Sequence, residues 1–134
     1  MSARLFRVVA PVHDIEAATR FYAAVLGRPG RRVSPGRHYF DCGGTMLACV
    51  DAGAEGDGGT FRPNPEHLYF AVADVEAIHA ACVREAARFP DELVHGAPAA
   101  EIVLRPWGER SFYVFDPSGN RLCFVDERTL FTGA

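Results

Sequence analysis

Apolar and polar residues alternate in "RLFRVVAPV" (4–12) and again in "HLYFAVA" (67–73), the period-two signature of strands with two unlike faces. In both places the alternation gives way to a helical period. Ile15, Ala18, Tyr22, Val25 and Leu26 follow the first stretch, and Val75, Ile78, Cys82 and Ala86 follow the second, so each strand predicts a helix behind it. Asp14 and Asp74 stand where a carboxylate can accept from the free amides of a first helical turn. Gly27 is suited to stop the first helix.

The two stretches belong to a repeat. "VHDIEAATRFYAAVLG" from Val12 and "VADVEAIHAACVREAA" from Val72 share V-x-D-[IV]-E-A at an offset of about 60 positions. "DCGGTMLACVD" from Asp41 and "DPSGNRLCFVD" from Asp116 echo each other in the same way, each with glycine where a strand turns back on itself. Strand, helix and meander thus occur twice. The reading is one α+β domain over residues 1–134, with a βαβββ module at about 4–51, a second at about 66–127, and a Gly- and Pro-rich linker at about 52–65.

Two such modules pack most simply as a curved mixed sheet with both helices on its convex side and a cleft on the concave side. Period-two alternation assigns the faces. Phe6, Val8, Ala10, Leu68, Phe70 and Val72 go to the helices, as do Leu47, Cys49, Leu122 and Phe124. Arg7, Val9, Met46, Ala48, His67, Tyr69, Ala71, Arg121 and Cys123 then face the cleft. Near "AEIVLRP", Glu101, Val103 and Arg105 join them if Ile102 and Leu104 pack on the helices.

Composition narrows the function. The chain has 134 residues, is 49% hydrophobic and 23% charged, and carries a formal charge of -3, which gives no reason to expect a nucleic-acid surface and favours a small ligand. Its opening residues lack the apolar length of a signal peptide or a membrane span, so a cytoplasmic protein without a membrane partner is expected. Cys42, Cys49, Cys82 and Cys123 show no C-x-x-C spacing and read as buried thiols.

The opening "VHDIEAATRFYAAVLG" and the ending "DPSGNRLCFV", set in this tandem layout, resemble the vicinal oxygen chelate superfamily of glyoxalases, extradiol dioxygenases, fosfomycin-resistance and bleomycin-resistance proteins. The resemblance spans residues 4–127. "PWGERSFYVFDPSGNRLCFVDE" from Pro106 is most similar to the bleomycin-resistance proteins, with one extra residue between P-W-G and D-P. The fold implied is the glyoxalase/bleomycin-resistance/dioxygenase fold, and close relatives imply a homodimer. The superfamily's enzymes imply a metal held at four cleft-facing positions, two per module. Carried over residue by residue, these are Arg7, Ala48, His67 and Cys123. Only His67 is a usual ligand there. Cys123 replaces a carboxylate, and the guanidinium of Arg7 cannot bind a metal. Catalytic zinc keeps three protein ligands, so a divalent metal or any other cofactor is disfavoured, with His67 its one weak candidate.

The remaining candidates divide between ligand contact and packing. His67 is a base, a hydrogen-bond partner for a ligand, or a histidine satisfied by a polar neighbour. Arg7 calls for an anion, either Glu101 or a ligand. Trp107 is an aromatic wall or a cap on the barrel mouth. Glu109 and Arg110 are expected to pair with each other, and His13, His38, His79 and His95 to lie at the surface or at edges. The cleft is expected to use Arg7, Met46, His67, Tyr69, Arg105, Trp107 and Cys123 to bind a small organic molecule, anionic or mixed in charge on the strength of its arginines, without the metal site. The competing reading is a metal-dependent lyase, isomerase or dioxygenase, with Glu101 or Glu109 as additional ligands. A metal-free enzyme using His67 or Cys123 is a third.

Overall fold

The computed structural model describes residues 2–133. In the first module, strand β1 (Arg7–Pro11) leads into helix α1 (Ile15–Leu26), followed by β2 (Arg31–Ser34), β3 (Arg37–Cys42) and β4 (Thr45–Val50). In the second, β5 (Leu68–Val72) leads into α2 (Val75–Arg84), a small hairpin β6 (Leu93–Val94) and β7 (Ala97–Pro98), then β8 (Val103–Leu104), β9 (Arg110–Phe115) and β10 (Arg121–Asp126). The strands form two four-stranded mixed sheets, ordered β1-β4-β3-β2 and β5-β10-β9-β8. β1 runs parallel to β4, and β5 parallel to β10. The helix crossing from one end of a module to the other makes those parallel pairings feasible.

Both helices begin as the sequence predicts. The Asp14 carboxylate accepts from the amides of Glu16 and Ala17, and Asp74 accepts from Ala77. Gly27 closes α1 at φ 70°, a left-handed conformation that costs glycine little. α2 ends at Arg84, leaving Ala86 outside the helix at φ 55°.

The helices pack against each other, and one core gathers the helix-facing sides of both sheets: Ala10, Leu47 and Cys49 from one, Phe112, Val114, Leu122 and Phe124 from the other. Leu68, Phe70 and Val72 pack against this core while half-buried. Two face assignments are corrected. Phe6 lies before β1, is 52% exposed and sits beside the guanidinium groups of Arg4 and Arg7. Leu104 is 67% exposed, because β8 is a two-residue strand at the outer edge of its sheet.

A polar clasp joins the modules. The turn between β9 and β10 contains Asp116, Ser118 and Asn120, all buried. One Asp116 oxygen accepts from the amides of Ser118 and Asn120, both at 2.9 Å. The other accepts from the Tyr22 hydroxyl on α1 at 2.7 Å and from Asn120 Nδ2 at 2.8 Å. Asn120 Nδ2 also donates to the Pro11 carbonyl at 2.7 Å, and the His13 amide donates to Ser118 Oγ at 3.1 Å. A buried carboxylate without a cation is tolerable because its lone pairs are met by oriented donors.

The linker is anchored at both ends. Glu55 accepts from the Ser34 hydroxyl and the Gly36 amide and pairs with Arg37. The Asn64 amide donates to Asn120 Oδ1, and its side chain donates to the carbonyl of Val9 on β1. Glycine content alone predicts a flexible tether; these bonds hold it to the sheet.

Candidate functional site

Sheet pairing sets the rows of side chains opposite the helices. In the first module Val9, Ala48 and Tyr39 lie in register, and in the second Tyr69, Cys123 and Tyr113. The face of the second module is therefore aromatic, with His67 one residue before β5. The His67 ring packs against Tyr113 at 5.0 Å between centroids and Tyr69 at 6.0 Å. Burial, reinforced by the charge of Arg121, lowers the His67 pKa below its ordinary value near 6.5, so the imidazole is neutral at pH 7. Among the described residues it has no hydrogen-bond partner, leaving one donor and one acceptor available.

Tyr113 and Cys123 of this row also belong to a small second core with Ala99 and Val125. Burial pushes the Cys123 thiol up to about 11, outweighing Ser111, Tyr113 and Arg105, which favour the thiolate. It pushes Tyr113 up to about 12. Arg105 is only 2% exposed. Its guanidinium donates to the carbonyls of Pro98, Ala99, Glu101 and Ser111 and to Ser111 Oγ, and lies over the Tyr113 ring at 5.2 Å. No carboxylate pairs with it among the described residues. The sequence reading turns Arg105 toward a ligand; here the 98–101 backbone and β9 occupy its donors.

The seven predicted cleft residues divide among several places. A cavity of about 580 Å³ between the modules is lined by Met46, His67 and Tyr69. Tyr69 also lines a recess of about 380 Å³ with Trp107, Glu109, Leu130 and Phe131. In that recess Trp107 Nε1 donates to Glu109 Oε1 at 2.8 Å, and the Phe131 amide donates to Glu109 Oε2 at 2.9 Å. Arg7 lines neither cavity: its guanidinium lies 4.9 Å from the Phe6 ring centre and 5.4 Å from that of Tyr39. Cys123, between Tyr69 and Tyr113, and Arg105, over the Tyr113 ring, are both buried and line neither cavity.

Three further expectations are corrected by these contacts. Glu109, just before β9, does not pair with Arg110: its two oxygens accept from Trp107 and Phe131, while Arg110 meets Glu76 and Asp126. His38 is buried, with Nε2 donating to the Pro29 carbonyl and Nδ1 accepting from Arg32. His79 packs between Phe89 and Phe112 and donates to the Ala100 carbonyl. Neither ring was legible as core, since its partners come from segments that periodicity does not connect.

The inter-module cavity also uses residues that the sequence reading left to the core: Leu26, Leu68, Phe70, Val72 and Ile78, with Arg28, Asp41 and Cys42 near them. Their half-burial was hidden because period-two alternation tells which face a residue is on and not whether that face is filled. The Cys42 thiol is raised, by burial first and then by Asp41, and is protonated at neutral pH.

At the four positions where the resemblance implies a metal, the donors do not fit one. Arg7 supplies a cation and Ala48 a methyl group, while Cys123 is a buried, protonated thiol between Tyr69 and Tyr113. Tyr69, rather than His67, lies directly across from Cys123. No cluster of three or more His, Cys, Asp or Glu able to hold an ion occurs among the described residues. His67 alone is a usable neutral ligand, too few for a catalytic divalent site.

Comparison with known proteins agrees with this architecture. A glyoxalase-related enzyme from Fulvimarina pelagi superposes with a TM-score of 0.72 at 22% identity, over 98% of this chain and 93% of that one. A glyoxalase/bleomycin resistance protein from Albidiferax ferrireducens T118 gives 0.71 at 22% identity, over 90% and 96%. A lactoylglutathione lyase from Agrobacterium tumefaciens gives 0.66 at 20% identity, over 93% and 94%. At such identities the likeness is one of fold. No curated protein matches. The family model described as Glyoxalase/Bleomycin resistance protein/Dioxygenase superfamily matches residues 4–124, nearly the whole of both modules, and the chain belongs to that superfamily.

Proposed function

We propose that this protein binds a small organic molecule without a metal ion, in the cavity between its two modules. The observation that carries the reading is His67: a neutral imidazole at the cavity wall, with no protein hydrogen-bond partner and no cluster of three metal donors among the described residues. The cavity volume of about 580 Å³ falls in the range that small-molecule sites occupy. Met46 and Tyr69 supply an adaptable thioether and an aromatic face beside it. The chemistry available there is recognition. A neutral His67 can donate to, or accept from, one polar group of a ligand, while the raised Cys42 and Cys123 thiols are poor nucleophiles at pH 7.

Elemental analysis of the purified protein, with and without added zinc, manganese or iron(II), tests the absence of a metal. Well under one equivalent is expected in every case. Stoichiometric metal that disappears in His67→Ala would establish the metal-dependent alternative.

A further inference from the structure

The inter-module cavity is the place where the main core opens to solvent. Both β1 and β5 are edge strands of their sheets, and the cavity is lined by Leu5 and Val8 on one side and by residues 67–72 in unbroken succession on the other. Such continuity is what a strand presents along its free edge, where both faces and the backbone border the same space. The inner wall is hydrocarbon: Leu26, Leu68, Phe70, Val72 and Ile78 pack against the core but stay only half-buried. Apolar side chains left in this state gain stability when an apolar occupant removes them from water.

The polar groups bordering the cavity are few, and their charges oppose one another. Arg28 and Asp41 carry opposite signs, and Asp41 Oδ1 accepts from the Gly44 amide. The Thr45 hydroxyl is already engaged with the Leu5 carbonyl. His67 stands apart, with no hydrogen-bond partner among the described residues. A charged ligand would lose its hydration against the hydrocarbon wall and find no net opposite charge to offset that loss. A neutral ligand with a single hydroxyl or carbonyl group has a wall for its body and an imidazole for its polar end.

Building on the proposed binding role of this cavity, we infer that its ligand class is the uncharged, predominantly hydrocarbon molecule with one terminal oxygen function. The hydrocarbon part lies along Leu68, Phe70, Val72 and Ile78, and the oxygen meets His67. Neither Arg7 nor Arg105 borders this cavity, so the two arginines that suggested an anionic ligand do not shape its preference.

The test is a titration of the ¹⁵N-labelled full chain with 1-hexanol, 1-octanol, octanoate and octylammonium, followed by amide shifts. Saturable shifts centred on residues 67–72 and 41–46 are expected for the alcohols, with affinity rising about fourfold per added methylene. Octanoate and octylammonium should bind at least about tenfold more weakly than octanol, given the desolvation cost of a charge. Ala71→Trp and Leu5→Trp, at exposed lining positions, should each weaken octanol binding while leaving the fold's spectrum intact; two variants guard against one being poorly folded. His67→Phe should remove the preference for octanol over octane-length apolar probes such as 1-chlorooctane. If either charged homologue binds as tightly as octanol at these residues, the ligand class is overturned while the cavity remains the binding site. If none of the four gives saturable shifts there, the inferred class and the proposed site fail together. Sedimentation showing that a second copy covers these residues and excludes octanol would also overturn the inference.

Discussion

Burial holds all four thiols in their protonated form: Cys42 is raised, Cys49 and Cys82 are pushed up to about 12 and Cys123 to about 11, from an ordinary value near 9. Because the folded-state values are raised, the stability they contribute is fully present below about pH 9 and is lost as pH rises through the folded values. The hydroxyls of Tyr22 and Tyr113 shift the same way and add to the slope. Urea midpoints should therefore fall steadily between about pH 8.5 and about pH 10.5. Cys82→Ala should show a shallower fall over that interval, whatever its stability at neutral pH. An unchanged slope in that variant would mean that the thiol is not kept protonated by the fold. That free cysteines pack inside was legible from their spacing and type. The burial of Arg105 was not, because its partners are carbonyls on a segment whose path no local pattern specifies.

Helix starts are the elements that the sequence specified most directly. Asp14 accepts two amides and Asp74 one, so the first cap is the stronger. Asp14→Ala should cost about 1–2 kcal/mol and Asp74→Ala about 1 kcal/mol or less, read as shifts in the urea midpoint. Equal costs would show that the second bond of Asp14 contributes nothing. Strand faces were equally legible where strands are long, as in β4 and β10, since alternation over six residues leaves one consistent answer. Where strands shrink to two residues the rule loses its grip: Leu104 emerged on the exposed side, and the β6–β7 hairpin had no signal in the periodicity. The same limit explains the candidate site. Alternation set Met46, His67 and Tyr69 on one face, and all three line the inter-module cavity, yet it could not reveal that the cavity lies along the edges of β1 and β5 and takes in helix-facing residues as well.

At the scale of the whole molecule, the repeat in the sequence predicted two modules, and the superfamily membership of the chain matches the tandem layout. The way the modules are joined was hidden. "DPSGN" reads as a turn and nothing more, whereas its Asp116, Ser118 and Asn120 reach Tyr22, Pro11 and His13 in the other module. Asn120→Ala removes donors from the Asp116 carboxylate and the Pro11 carbonyl together. A loss of about 2–4 kcal/mol is expected from leaving such buried acceptors unmet. Amide exchange in β1 should accelerate more than exchange in the β9–β10 hairpin, which keeps its own ladder. Uniform acceleration would indicate a general loss of stability in place of a released clasp.

The clasp also bears on how the chain is made. Pro11 and His13 leave the ribosome early, but the groups that satisfy them belong to residues 118 and 120. The first module therefore waits, with its Tyr22 hydroxyl and Pro11 carbonyl unmatched, until most of the second has been synthesised. During that interval an N-terminal half is an adhesive nascent chain rather than a finished domain, and ribosome-bound chains stalled before residue 120 should be the ones that chaperones hold.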